Sequence, residues 1–260
     1  MWINRMMKQV NNLLTLKPLQ ICRGLLFITM KDIITIIIPC KNERDNIHQC
    51  IQLISKQTDI VGTTIIIADD SDELKSLEFL KNTKRDFQNI LNIEIIKGGF
   101  PSKARFEGSK LVKTPYILFL DADIMLQNES IIAECLAYNV DLVTVPFQTE
   151  DEYNWIFRLF GIQQKLSNIL GTPFAMGGFQ LFKTESYWNT GGYDETHLLA
   201  EDYWVSQKVN KMIIHKTNGV WTSSRRFKSK GFLYMLILSI KCYINRHNTE
   251  FFKKHHNYWN

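Results

Sequence analysis

Apolar residues along this chain follow two alternating rhythms. Short runs, Ile33 to Ile38, Thr63 to Ala68, Ile93 to Ile96 and Ile117 to Leu120, have the length and composition of strands. The four consecutive large apolar residues Ile117 to Leu120 read as a strand buried on both faces, as the centre of a parallel sheet requires. Between these runs apolar residues recur at helical spacing. Ile47, Cys50, Ile51 and Ile54 fall at i, i+3, i+4 and i+7, and Leu74, Leu77 and Leu80 line the next helix. Asp45 or Asn46 is placed to cap the first helix, and Gly98-Gly99-Phe-Pro101 opens another that runs to about Lys113. Pro39, lacking an N–H, is expected to end the first strand. Strands alternating with helices predict an α/β fold with a mostly parallel sheet covered on both faces and ligands bound outside the carboxyl ends of the strands.

Those strand ends carry the chemistry. The run from Tyr116 stops abruptly at Asp121-Ala-Asp123, and side chains two apart on an extended chain point the same way, so both carboxylates can face one crevice. Two like charges so close call for a cation. The strand ending at Ala68 leads into Asp69-Asp70-Ser71-Asp72, a second acidic loop on the same edge. The loop after the first strand, Pro39 to Asn46, holds no glycine, so the G-x-G-x-x-G of dinucleotide oxidoreductases is absent and that class is excluded.

Composition adds the frame. The chain has 260 residues and 45% hydrophobic content, enough for a sizeable core. Five scattered cysteines, never spaced C-x-x-C, read as buried thiols of a reducing, cytoplasmic compartment. The formal charge of +5 is uneven: residues 1–30 contribute +4 and residues 225–260 contribute +7, which leaves the middle at −6. An acidic middle argues against a nucleic-acid partner, while basic, aromatic-rich termini suit an anionic membrane surface, on its cytosolic side, an anionic substrate, or solvated tails. Residues 1–30 read as an extension and 229–260 as an apolar and basic helical tail. The apolar run Phe232 to Ile244 is shorter than the ~20 residues a bilayer span needs, so it either packs on the sheet or lies in an interface, with Phe251, Phe252, Tyr258 and Trp259 beyond it.

From about Ile33 to Phe227 the motifs, in order, resemble the family 2 glycosyltransferases of the GT-A fold. They are Pro39-Cys-Lys-Asn42-Glu43, Asp69-Asp70-Ser-Asp72, Lys103-Ala-Arg105, Asp121-Ala-Asp123, Gly177-Gly178, Gly191-Gly192, Glu201-Asp202 and Arg225-Arg226. The resemblance implies an inverting, hexosyltransferase-like enzyme that moves a sugar from a UDP- or GDP-sugar donor to a hydroxyl of a glycan or lipid-linked acceptor. Asp123 would hold Mn²⁺ or Mg²⁺, with Asp121 on the metal's shell or the ribose. Pro39, Asn42 and Glu43 would border the donor. Asp69 or Asp70 would accept from the base, and Lys103 and Arg105 would face base and phosphates. Arg225 or Arg226 would contact the diphosphate, since a guanidinium matches phosphate in bidentate geometry. His215 is a further candidate metal ligand.

Asp202 is the candidate base, which an inverting transfer needs to take the acceptor's proton, and the apparent helix Tyr203 to Val209 would keep it ionised through its dipole. The glycine pairs would let backbone approach substrate closely. One departure is that the glutamine-rich motif before an Arg-Trp pair, found in processive synthases, is missing, which favours a single transfer. Acceptor contacts are expected in loops across Phe147 to Pro173. A sugar-phosphate nucleotidyltransferase and a catalytically silent glycan-binding protein of the same fold are the alternatives; the first lacks its glycine-rich loop here, and retention of Asp121, Asp123 and Asp202 counts against the second.

Overall fold

The computed structural model describes residues 29–254 and His256. The leader before Thr29, Cys22, Tyr258 and Trp259 lie outside the described residues. A single turn, α1 (Met30–Ile33), leads into β1 (Ile34–Cys40), α2 (Arg44–Ile54), β2 (Thr64–Asp69), α3 (Leu74–Phe87), β3 (Asn92–Lys97), α4 (Pro101–Ser109) and β4 (Tyr116–Leu120). Then come β5 (Met125–Leu126), α5 (Ile131–Leu136), β6 (Leu142–Thr144), α6 (Asn154–Ile169), β7 (Phe179–Lys183), α7 (Thr184–Asn189), α8 (Glu201–Ser206), β8 (Met212–Ile214) and β9 (Val220–Trp221). Three helices close the described chain: α9 (Arg225–Lys230), α10 (Phe232–Ile244) and α11 (Thr249–Phe252).

Seven strands form one sheet in the order β3-β2-β1-β4-β7-β6-β8. The first four run parallel, β7 is antiparallel to both neighbours, and β6 and β8 are parallel to each other. A short antiparallel pair, β5 with β9, forms a second sheet. The mostly parallel α/β architecture is the one the alternating pattern predicts. Alternate residues of the central strands feed opposite faces. Ile34, Ile36 and Ile38 join Ile47, Cys50, Ile51 and Ile54 of α2 on one side. Ile37, Ile117 and Phe119 join Phe182, Tyr187 and Tyr193 on the other. Each fully buried Ile, Leu or Phe contributes about 1.5–3 kcal/mol relative to exposure, so the isoleucine-rich strands dominate the drive to this layering. Cys40, Cys50 and Cys135 are buried free thiols, and Cys242 is a half-buried one.

Several sequence expectations need correction. Pro39 does not end β1, which continues to Cys40 and pairs Pro39 with Ala68. Pairing with β4 stops at Ile37, so Pro39 has a strand on one side only, where a missing N–H is tolerated. Leu74 is 84% exposed; Ser76, Leu80 and Thr83 form the inner side of α3 instead. α4 ends at Ser109, short of Lys113, and neither Asp45 nor Asn46 is the cap of α2, a position that falls to Glu43. The stretch Phe147 to Pro173 is largely the 16-residue helix α6, not loop. Phe252 is fully buried against Leu199 and Leu238, and its carbonyl accepts from the Leu198 N–H, so this aromatic belongs to the core.

The turn from β3 into α4 sits directly on the end of β2. The Gly98 N–H donates to the Asp69 carbonyl at 2.7 Å, and a Cβ on Gly98 would lie 2.5 Å from the Ala68 carbonyl oxygen. That neighbour is backbone and has no rotamer to change. Gly98→Ala should therefore lower stability by about 1–3 kcal/mol, the usual cost of forcing atoms into a packed interior. Urea denaturation checks this, and an unchanged midpoint would show that the turn yields freely.

Candidate active site

The carboxyl end of β4 opens into a cavity of about 830 Å³. The Asp121 N–H donates to the Gly178 carbonyl at 3.2 Å, carrying the β4–β7 pairing one residue further, and the Ile124 N–H returns to the Asp121 carbonyl at 3.0 Å. This turn sets Asp121 and Asp123 into the cavity wall together with Arg105, Gly177, Gly178, Asp202, Arg225 and Arg226. Six of the site residues expected from sequence thus meet in one hollow, although α4, β4, α8 and α9 supply them from distant parts of the chain.

Arg105 is the centre of this wall, and its guanidinium is engaged mainly by protein partners. It is 2% exposed. Its Nη2 donates to Asp121 at 2.5 Å and its Nη1 to Glu201 at 2.5 Å. The guanidinium also lies over the Tyr193 ring at 5.3 Å. Burial works against its charge, but Asp121, Tyr193, Glu201 and Asp202 together hold its pKa well above the ordinary guanidinium value. It therefore ties α4, β4 and α8 together and faces inward.

Asp202 lies inside the first turn of α8, one residue past its start at Glu201, so the helix begins earlier than Tyr203 and ends at Ser206, short of Val209. Ala200 takes the N-cap position in the left-handed region at φ 53°, which aims Glu201 inward at Arg105 and leaves Asp202 on the cavity wall. The Asp202 carboxylate accepts from the Gly177 N–H at 2.7 Å and from the Tyr203 N–H at 2.8 Å. The dipole does not keep this group strongly acidic. Burial first, and then the charge of Glu201, raise its pKa to about 7, against the pull of Arg105 and these two N–H groups. A Cβ on Gly177 would fit tightly, 3.0 Å from Arg105 Nη2 and 3.4 Å from the Asp202 Cβ, so Arg105 would have to shift to admit it.

Asp123 sits 3.6 Å from Arg225, whose guanidinium forks onto both oxygens of Glu43. Burial raises the Asp123 pKa to about 6; Arg225 opposes this, and Asp121 and Glu43 add to it. The hydrogen bond to Glu43 in turn raises the Arg225 pKa above its ordinary value. Among the described residues no three His, Cys, Asp or Glu side chains converge into a ready-made metal cage. One or two carboxylate oxygens beside an open cavity nevertheless suit a hard divalent ion, which Mg²⁺-type sites complete with water and substrate phosphates. The donor set at Asp123 and Asp121 fits that arrangement.

Other expected residues lie apart from the cavity wall. Asp69 is buried at the end of β2 and accepts from the Ser71 hydroxyl at 2.7 Å. Asp70 pairs with Lys97 at 2.8 Å and Lys41 at 3.6 Å, and the Lys97 hydrogen bond holds its pKa below the usual carboxylate value. Asn42, at φ 57°, bonds to Ser71 and Asp72 and ties the first loop to the second. Pro39 lies on this same edge. Lys103 is exposed beside Gly99. His215 is held by Glu134 and Tyr138, each at 3.0 Å, and is a structural residue of the β8 side rather than a ligand beside Asp123. Gly191 and Gly192 have φ of 87° and 72° and form a turn under Tyr187, not a substrate-facing surface. Sequence alone did not indicate Glu201 as the partner of Arg105, nor helix α6, nor that α10, expected as a helical tail, walls the cavity. Spacing of Leu159, Ile162, Leu166 and Leu170 at three and four residues was the available signal for α6.

Comparison with known proteins places this geometry. A poly(ribitol-phosphate) beta-glucosyltransferase of Bacillus spizizenii is 33% identical over 101 residues, which are 38% of this chain and 16% of that protein. The crystal structure of S. aureus TarS superimposes with a TM-score of 0.57 at 16% identity, over 80% of this chain and 39% of TarS. The mannosyltransferase PcManGT from Pyrobaculum calidifontis, solved with GDP-Man and Mn²⁺, gives 0.59 at 15% identity over 87% of this chain and 68% of that one. The chain thus spans well under half the length of the first two relatives. At such identities the structural likeness is one of fold, and that fold is GT-A. The model of Glycosyl transferase family 2 matches residues 35–191, more than half of the chain, and the chain belongs to that family.

Proposed function

We propose that this protein transfers a sugar from a nucleoside diphosphate sugar, UDP- or GDP-linked, to an acceptor hydroxyl with inversion at the anomeric carbon. The observation that carries this reading is Asp202. Its carboxylate lies on the same cavity wall as Asp121 and Asp123, held by the Gly177 N–H, with a pKa of about 7. A base is most effective when its pKa lies near the working pH. Asp202 would take the acceptor's proton as the acceptor oxygen attacks, while the bond from the anomeric carbon to the diphosphate breaks on the opposite side. Arg225 and Arg226 would receive the leaving diphosphate, with Glu43 holding the Arg225 fork in place. Asp123, assisted by Asp121, would hold Mn²⁺ or Mg²⁺, which supplies neutralising charge to the diphosphate. The base would lie towards the edge formed by Pro39, Asn42, Asp69 and Asp70. Names of the neighbours support a nucleotide-sugar donor: S. aureus TarS 1-349 was solved with UDP-GlcNAc and PcManGT with GDP-Man and Mn²⁺.

Three outcomes test the division of roles. Asp202→Asn keeps the size and one of the two backbone N–H contacts but removes the base. Sugar transfer should fall by roughly 10²- to 10⁴-fold while donor affinity persists; transfer at the wild-type rate would leave Asp202 with a structural role alone. Because burial and Glu201 raise its pKa to about 7, Asp202 is protonated and inactive below that pH. The kcat/KM for transfer should therefore rise through about pH 7 and level off above it, and the residual activity of the Asn variant should lack this limb. Asp123→Ala should abolish metal-dependent binding of a nucleoside diphosphate by calorimetry, as should chelation of the wild type. Undiminished metal-dependent affinity in the variant would place the ion elsewhere.

A further inference from the structure

Two helices bordering the cavity turn apolar faces outward. On α6, Trp155, Leu159, Ile162, Leu166 and Ile169 recur every three or four residues and are 50–79% exposed, while Ile156, Phe157 and Gly161 on the opposite side are buried. On α10, Leu233, Leu236, Ile237, Ile240 and Ile244 form an uninterrupted apolar strip, 42–69% exposed, and Leu238 faces the core. This is amphipathicity turned inside out, since a surface helix in water keeps its apolar stripe against the core. The two strips meet where the Trp155 and Phe232 rings pack with centroids 5.3 Å apart.

The same helices form the mouth of the cavity. Leu159, Ile162 and Leu166 of α6 and Met235, Leu238 and Tyr243 of α10 line it, and several of these are half exposed as well. The hollow is therefore polar at Asp123 and Asp202 and apolar towards the outside. Exposed cations flank the strips: Arg158 and Lys165 on α6, Lys241 on α10, and Lys254 beyond its C-terminal end, while Lys228 is paired with Asp151. Residues 225–260 carry a net +7. Apolar strips bordered by cations characterise helices that lie in an anionic interface. Among the described residues no helix is long and apolar enough to cross a membrane, so α10, with 13 residues, would lie along the surface.

We propose that α6 and α10 rest in the interface of an anionic bilayer, and that the acceptor is an amphiphilic lipid whose hydrocarbon chain enters between them and whose hydroxyl-bearing head reaches Asp202. In the transfer, the lipid's hydroxyl oxygen bonds to the anomeric carbon and its proton passes to Asp202. The bond from that carbon to the diphosphate oxygen breaks, and the nucleoside diphosphate leaves with the electron pair. The proposal rests on the reading of Asp202 as base and extends it to the acceptor's class.

Flotation with vesicles tests the surface, and a soluble probe tests the groove. The full chain should float with phosphatidylglycerol-containing vesicles at low salt, less with pure phosphatidylcholine, and less again at high salt. The double variant Leu236→Glu/Ile240→Glu changes two exposed positions; it should stay at the bottom of the gradient with an unchanged melting temperature. Ser239→Trp narrows the groove while sparing the outer strip. It should still float but bind a fluorescent dodecyl glycoside about tenfold more weakly than the wild type. Wild type that remains unbound at low salt, a double variant that floats as well as wild type, or undiminished probe binding by Ser239→Trp would each overturn the proposal. Titration with UDP and GDP in the presence of Mn²⁺ runs alongside. If neither binds the wild type, the donor reading fails, while flotation and probe binding still decide the lipid proposal.

Discussion

The buried guanidinium of Arg105 constrains everything around it. A full charge in the protein interior is tolerated only when partners surround it, and removing one partner of such a pair costs about 3–5 kcal/mol. Here the partners are Asp121 at the end of β4 and Glu201 at the start of α8, with the face of Tyr193 beside them. The sheet edge and α8 cannot part without stranding this charge. Asp202, adjacent to Glu201 in the chain, is thereby held on the wall that it shares with Asp123. The same network tunes Asp202, because Glu201 raises its pKa while Arg105 opposes the rise. Gly177 completes the arrangement by bringing a backbone N–H to Asp202 from a close position beside Arg105.

A second network, on the other side of the crevice, works with the opposite exposure. Arg225 forks onto Glu43 and reaches Asp123, yet remains partly open to solvent, so its charge is available to an anion entering the cavity. Arg105 is sealed in by its partners, whereas Arg225 keeps an exposed face. The cavity then changes character along its length, from these ionic walls to the leucine-rich sides of α6 and α10. A ligand that fills it must be polar at one end and apolar at the other.

What the sequence by itself determined is the sheet and its carboxyl edge. Isoleucine-rich runs of strand length specify the parallel strands, and β1, β2 and β4 are buried while β3, at the sheet edge, is largely exposed; the Asp121-Ala-Asp123 pair marks the carboxyl end of β4, where a turn rather than an extended chain aims it. The face of α2 was equally legible, because Ile47, Cys50, Ile51 and Ile54 are spaced by local geometry and all are buried. Only the tertiary structure decided which charges face inward. Arg105 and Lys103 lie two residues apart on α4, and their fates diverge because Asp121 and Glu201, far off in the chain, converge on one of them. The start of α8, the ionisation of Asp202 and the setting aside of His215 depend in the same way on partners from other elements. So does the outward turn of the apolar strips on α6 and α10: helical spacing shows that a stripe exists, but whether it meets the core or the outside depends on which face the rest of the fold has already covered. Local periodicity is a property of the chain, whereas burial of a charge or a stripe is a property of everything packed around it.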